Sequence, residues 1–156
     1  MKEKTCCFTG HRKIPPSQYK RLAGRLKAEI ITLIGQGFIY YGAGGALGFD
    51  TLASLTVLEL KEDYPQIRLI LVLPCRTQTQ GWDSKDVAVY ESIKARSDKY
   101  VYTSEEYSRG CMFKRNRHLV DNSGACICYL TENKGGTAYT VNYAAQSGLK
   151  IINIAE

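Results

Sequence analysis

The sequence contains no apolar run approaching the ~18–20 residues needed to cross a bilayer; its longest runs, such as Leu69 to Leu73, are far shorter. No secretory signal is legible, because Met1 to Lys4 leads straight into a short strand-like run and then the polar Gly10, His11, Arg12 and Lys13. Prolines number only four, and 44% hydrophobic with 23% charged residues excludes a disordered, collagen-like or coiled-coil chain. The only histidines are His11 and His118, and the six cysteines include no CxxC pair, so no zinc site is expected. Cys6, Cys7, Cys126 and Cys128 lie in strand-like apolar runs, where a thiol behaves as a small buried hydrophobe. With no signal, they read as reduced thiols in a cytoplasmic protein. The expectation is a single domain over residues 1–156 with no membrane partner, no metal and no required cofactor.

What is present is an uneven charge. The formal +6 lies wholly within residues 1–29, where eight basic side chains face two acidic ones, and the rest of the chain carries 13 of each sign. A local basic patch favours an anionic partner, whether phosphate, nucleotide or nucleic acid. Arg12 and Lys13 follow the first strand-like run and are expected to face a ligand, whereas Lys20, Arg21, Arg25 and Lys27 are expected on the outer side of the first helix.

Strand and helix patterns alternate. Continuous apolar or β-branched runs predict strands at Thr5–Thr9, Phe38–Tyr41, Ile67–Leu73, Tyr100–Thr103, Ala125–Leu130 and Ile151–Ile154. A three-and-four spacing predicts a helix from Tyr19 to Ile34, opened by Pro15, Pro16 and Ser17 and turning Tyr19, Leu22, Leu26, Ile30 and Leu33 inward. Further helices are predicted at Phe49–Glu62, Trp82–Arg96, Lys114–Asp121 and Thr137–Gln146. This alternation implies an α/β fold: a Rossmann-like, three-layer open parallel sheet of about six strands with helices on both faces. Ligands in such sheets bind beyond the carboxyl ends of the strands, where strand order reverses.

Three strand ends carry candidate chemistry. Thr9-Gly10-His11-Arg12 combines a permissive turn with a titratable ring and a fixed cation. Gly42 to Asp50 holds four glycines, with Gly44 and Gly45 able to offer bare backbone to an anion; no Gly-Lys-Ser/Thr follows, which disfavours P-loop ATP hydrolysis. Asp50 reads either as a complement to the helix dipole or as a partner for a ribose hydroxyl. Gly135-Gly136-Thr137 opens a helix and is the second anion candidate, with Thr137 alternatively its N-cap. Arg115 and Asn116 are expected to face the pocket, while Arg117 and Asp121, four apart, are spaced to pair. Trp82 and Tyr107 read as packing residues or as stacking partners for a base.

These motifs, together with Gln80 and Trp82, Tyr107 with Cys111-Met112, and Val120-Asp121, resemble the SLOG superfamily of Rossmann-like proteins, most closely its YpsA-like branch, over nearly the whole chain. The resemblance implies a pocket for a nucleotide or nucleotide-derived ligand of the nucleoside monophosphate, NAD or ADP-ribose type, used for sensing or regulation. Two related groups imply alternatives. LOG-type phosphoribohydrolases carry a catalytic glutamate in the motif matching Gly135 to Thr140; here that position is Thr140, and a hydroxyl cannot stabilise an oxocarbenium-like centre as a carboxylate does, leaving Asp50 or Asp121 as substitutes. The DNA-processing protein DprA binds single-stranded DNA, for which the basic first helix offers an electrostatic track. A homo-oligomer or a protein partner is compatible with all three readings.

Overall fold

The computed structural model describes residues 1–156. Six strands, β1 (Thr5–Gly10), β2 (Tyr40–Ala43), β3 (Arg68–Leu73), β4 (Lys99–Tyr102), β5 (Ala125–Tyr129) and β6 (Lys150–Asn153), form one all-parallel sheet in the order β4-β3-β2-β1-β5-β6. Five helices connect them: α1 (Pro16–Gly35), α2 (Phe49–Lys61), α3 (Ser84–Arg96), α4 (Cys111–Asp121) and α5 (Gly136–Gln146). A short 3-10 turn, Lys2–Lys4, precedes β1. The fold is the three-layer Rossmann-like arrangement that the sequence pattern implies.

The chain steps outward from β1 to β4 and then returns to place β5 on the other side of β1. Right-handed crossovers therefore put α1, α2 and α3 on one face and α4 and α5 on the other. The two layers differ in size. Beneath α1–α3 lies a cluster of 24 buried residues centred on Phe8, Leu26, Tyr41, Phe49 and Leu71; beneath α4 and α5 the cluster has nine, including Cys7, Leu119, Val120 and Cys126. All six cysteines are buried and unpaired. No helix is long and apolar enough to cross a membrane.

Several boundaries shift by one to three residues, Trp82 falling just before α3 among them, and two of the shifts have clear local causes. Phe38, expected in β2, instead closes α1: its amide donates to the Leu33 carbonyl (3.0 Å) and that of Gly37 to Ile34 (3.0 Å). Gly37 has φ +94°, so the residues form a Schellman motif that uses carbonyls the helix end leaves free. Helix α4 begins at Cys111 rather than Lys114 because Gly110, at φ +88°, turns the chain directly into it. On α1, Leu22, Leu26, Ile30 and Leu33 point inward as expected, but Tyr19 is 45% exposed.

Candidate functional site

The order reversal falls between β1 and β5. A cavity of about 280 Å³ opens at their carboxyl ends, lined by Thr9, Gly10, His11 and Arg12 after β1, by Gly136 and Thr137 opening α5, and by Asp50, Met112, Arg115 and Asn116. Eight of the eleven residues singled out in the sequence meet here: Gly10, His11, Arg12, Asp50, Arg115, Asn116, Gly136 and Thr137.

Strand pairing sets the β1 side. The His11 amide donates to the Tyr129 carbonyl (3.3 Å), extending the β1–β5 ladder, and the Phe49 amide donates to the His11 carbonyl (3.1 Å). The imidazole packs edge-on against Tyr129, with ring centroids 5.5 Å apart. Its Nε2 accepts the Thr131 amide (2.9 Å). His11 thus ties the β1 loop to the β5 loop. Arg12 is exposed and has no hydrogen-bond or ion-pair partner, so its planar fork is free for an anion.

On the α5 side, Gly135 occupies the N-cap at φ +94°, and Thr137 is the second helical residue rather than the cap. The first amides of α5 have no intrahelical acceptor and point along the positive end of the helix dipole. A Cβ on Gly135 or Gly136 would meet nothing within 4 Å. Thr140 lies one turn on, buried, with its hydroxyl used twice: it donates to the Gly136 carbonyl (3.0 Å) and accepts from Asn116 Nδ2 (3.0 Å).

The back wall is the protein's own charge. Arg115 is only 4% exposed and, contrary to the expectation that it stays free, spends its guanidinium internally: Nη1 donates to the Gly44 carbonyl, Nε to Asn116 Oδ1 (2.6 Å), and Nη2 contacts Met112 Sδ (3.8 Å). Asn116 is likewise engaged, through Arg115 and Thr140. Asp50 sits in the first turn of α2, 6% exposed, and accepts the Ala46 amide (3.2 Å). Burial holds its carboxyl above the usual range, against the attraction of Arg115 and the Ala46 and Gly44 amides. Burial likewise lowers Arg115, and Asp50 opposes that. The cavity lining thus carries two guanidinia against one carboxyl, a cationic excess.

Gly44 and Gly45 do not line the cavity. The Gly44 carbonyl takes both Arg115 and Gln78 Nε2 (3.1 Å), and Gln78 Oε1 accepts the Tyr90 hydroxyl (3.1 Å). A Cβ on Gly44 would collide with Arg115, and one on Gly45 would come 2.7 Å from Leu73. Gly48, at φ +77°, lies against the Arg12 carbonyl. Gln78 and Tyr90, which hold this turn shut, carry no motif in the sequence.

Other expectations are redistributed. Arg117 does not pair with Asp121; it donates to the Tyr139 hydroxyl and lies over the Tyr143 ring at 5.6 Å, while Asp121 accepts the Tyr143 hydroxyl (2.7 Å), away from the cavity. Trp82 packs edge-on against Tyr90 (5.6 Å). Tyr107 is 69% exposed and borders a neighbouring cleft with Gln80 and Met112. On α1, Arg25 donates to the Ile154 carbonyl (3.2 Å) and Lys27 pairs with Glu59 (2.8 Å), so only Lys20 and Arg21 of that cluster stay unengaged.

The model of the YspA SLOG family matches residues 8–152. Over 142 residues the chain is 30% identical to the uncharacterized SPbeta prophage-derived protein YoqJ of Bacillus subtilis (strain 168), covering 83% of each. It is 25% identical to the UPF0398 protein YpsA of the same organism over 122 residues, 76% of this chain and 68% of that one. Two solved structures share the fold. DNA processing protein A from Streptococcus pneumoniae superposes with a TM-score of 0.71 at 16% identity, over 96% of this chain and 50% of that one. The protein of that name from Helicobacter pylori, described for its single-stranded DNA binding mode, gives 0.64 at 20% identity, over 92% and 61%. The chain therefore spans about half to three fifths of those two proteins.

Proposed function

The chain belongs to the YspA SLOG family, and we propose that it binds a nucleotide or nucleotide-derived ligand, of the nucleoside monophosphate, NAD or ADP-ribose type, as a sensor or regulatory module. One observation carries the reading: at the β1–β5 order reversal, the unpartnered Arg12 faces the open N-terminus of α5 across a cavity of about 280 Å³ whose lining carries a cationic excess. In this reading the Gly136 and Thr137 amides hold a phosphate, Arg12 neutralises it, and Arg115 adds field from behind without direct contact. Asp50 anchors the Ala46 turn.

A small ligand is favoured over a nucleic-acid strand, because Arg25 and Lys27 already serve protein partners and a two-residue remnant makes a poor track. Binding is favoured over hydrolysis of the base-to-sugar bond, because Thr140 is hydrogen-bonded twice and Asp50 is the one carboxylate lining the cavity. Thermal-shift and calorimetric titration with nucleoside monophosphates, NAD and ADP-ribose test the reading. At a hundred times its Kd a ligand adds ~2.7 kcal/mol of stability, and silence from all three classes contradicts the proposal. Free base released from a nucleoside monophosphate, and lost in Asp50→Asn, would move the assignment to the hydrolase. Salt-sensitive gel retardation of single strands, weakened by Arg21→Ala, would move it to DNA.

A further inference from the structure

The unequal helical layers leave part of the sheet bare. On the face that carries α1–α3, α3 reaches the edge strand β4, where Lys94 lies over the rings of Tyr100 (4.8 Å) and Tyr102 (5.4 Å). On the opposite face, α4 packs on β1 and β3 and α5 on β1, β5 and β6, and neither packs on β4 to a comparable extent. Beyond α4 runs an open groove made of two merging hollows of about 360 and 390 Å³, both floored by Ile70 and Val72 and both bordered by Lys99 and His118. Val101 extends the apolar floor across β4, and Leu119 forms the α4 wall.

The rim has one sign. Lys2, Lys99 and Lys114 border the groove, none of them is paired with a carboxylate, and no Asp or Glu lines either hollow. Elsewhere on the molecule lysines do find partners, as Lys27 and Lys61 do with Glu59 and Asp98. An apolar floor spanning two neighbouring strands, beside a helix and bordered by unpaired cations, has the charge complement and the apolar strip that suit an amphipathic helix with acidic flanks. A second copy of this chain cannot supply one. Helices α1 and α4 carry a basic excess, α3 has three basic and two acidic residues, α5 is uncharged, and the exposed acid of α2, Glu59, is bound to Lys27.

We propose that the β3–β4 face beside α4 is a docking groove for an acidic amphipathic helix of a different protein, which would complete the layer that α4 and α5 leave short. The groove shares no lining residue with the cavity at Arg12 and does not depend on the nucleotide reading.

The test uses the full chain, isotopically labelled for amide NMR, and three synthetic helical peptides: one with a leucine face flanked by glutamates, the same peptide with lysines for glutamates, and a scramble of the first. The glutamate peptide is expected to shift the amides of Ile70, Val72, Lys99, Val101 and His118, with the lysine and scrambled peptides at least tenfold weaker. Lys99→Glu with Lys114→Glu, both exposed positions whose folding a thermal melt verifies, should weaken the glutamate peptide at least tenfold and strengthen the lysine peptide. Equal binding of the peptides, shifts confined to other surfaces, or no binding would overturn the proposal. A dimer in sedimentation that the double substitution dissociates would reassign the groove to self-association. Cosedimentation with phosphatidylglycerol vesicles, in place of peptide binding, would reassign it to a lipid surface.

Discussion

The two glycine-rich turns look alike in the sequence and do opposite things in the fold. The turn at Gly42–Gly48 is filled from within: Arg115 and Gln78 bind the Gly44 carbonyl, Leu73 and Tyr90 press on Gly45, and the Arg12 carbonyl rests on Gly48. Its glycines make room for the protein's own side chains and carbonyl. The turn at Gly135–Gly136 has no neighbour within 4 Å of either missing side chain and leads straight into a helix N-terminus. Glycine is needed in the first turn for close packing and in the second for a positive φ and an unobstructed approach. A glycine cluster therefore marks a place where backbone must be bare; only the surrounding side chains decide what comes up to it.

The sharpest way to break this contrast is to remove the residue that closes the first turn. Arg115→Met removes the charge-assisted hydrogen bonds to the Gly44 carbonyl and Asn116 Oδ1 and, at about 1.5–3 kcal/mol for each, should cost about 3–5 kcal/mol, read from urea denaturation. Next in size, Gly48→Ala forces φ +77° on an L side chain and drives its Cβ into the Arg12 carbonyl; a loss of about 3 kcal/mol is expected. Were Gly48→Ala tolerated, the first turn would be looser than its packing implies.

On the open turn the effects should move from stability to affinity. Arg12→Ala should weaken nucleotide binding by about 1.5–3 kcal/mol, the value of a charge-assisted hydrogen bond, while the melting temperature of the free protein stays put. Smaller still, Gly136→Ala should leave stability unchanged or raise it by about 0.4–1 kcal/mol, yet reduce affinity by crowding the phosphate position. A parallel loss of stability in either variant would erase the distinction between the turns.

The last contrast is in pH. Because burial raises the Asp50 carboxyl, the folded state holds its proton more tightly than the unfolded state. Its contribution is fully present below the ordinary carboxylate range and is lost as pH rises through the raised folded value. Asp50→Asn should remove that slope, seen as a flatter stability curve than that of the parent on the alkaline side of the ordinary carboxylate range.

These contrasts also explain what could be read in advance. Strand and helix order was legible because continuous runs such as Ile67–Leu73 and the spacing Leu22–Leu26–Ile30–Leu33 report burial directly. The residues that gather at the β1–β5 ends were legible because each follows a strand or opens a helix. What the sequence could not give is the direction of a long polar side chain. Arg115 and Asn116 sit on a polar helix start, and nothing in their spacing says that they reach inward to Gly44 and Thr140. Arg117 prefers Tyr139 and Tyr143 on α5 to Asp121 on its own helix for the same reason: its partners come from a segment some 20 residues away. Gln78 was invisible because a single glutamine in a loop has no pattern to belong to.

The central claim is that the open turn, not the closed one, receives the anion. A crystal of the protein grown with a saturating nucleoside monophosphate tests it most directly. The phosphate should lie at the Gly136 and Thr137 amides within reach of Arg12, with Arg115 still on the Gly44 carbonyl. A phosphate at Gly44–Gly45 with Arg115 displaced, or a cavity that stays empty at saturation, would contradict the account.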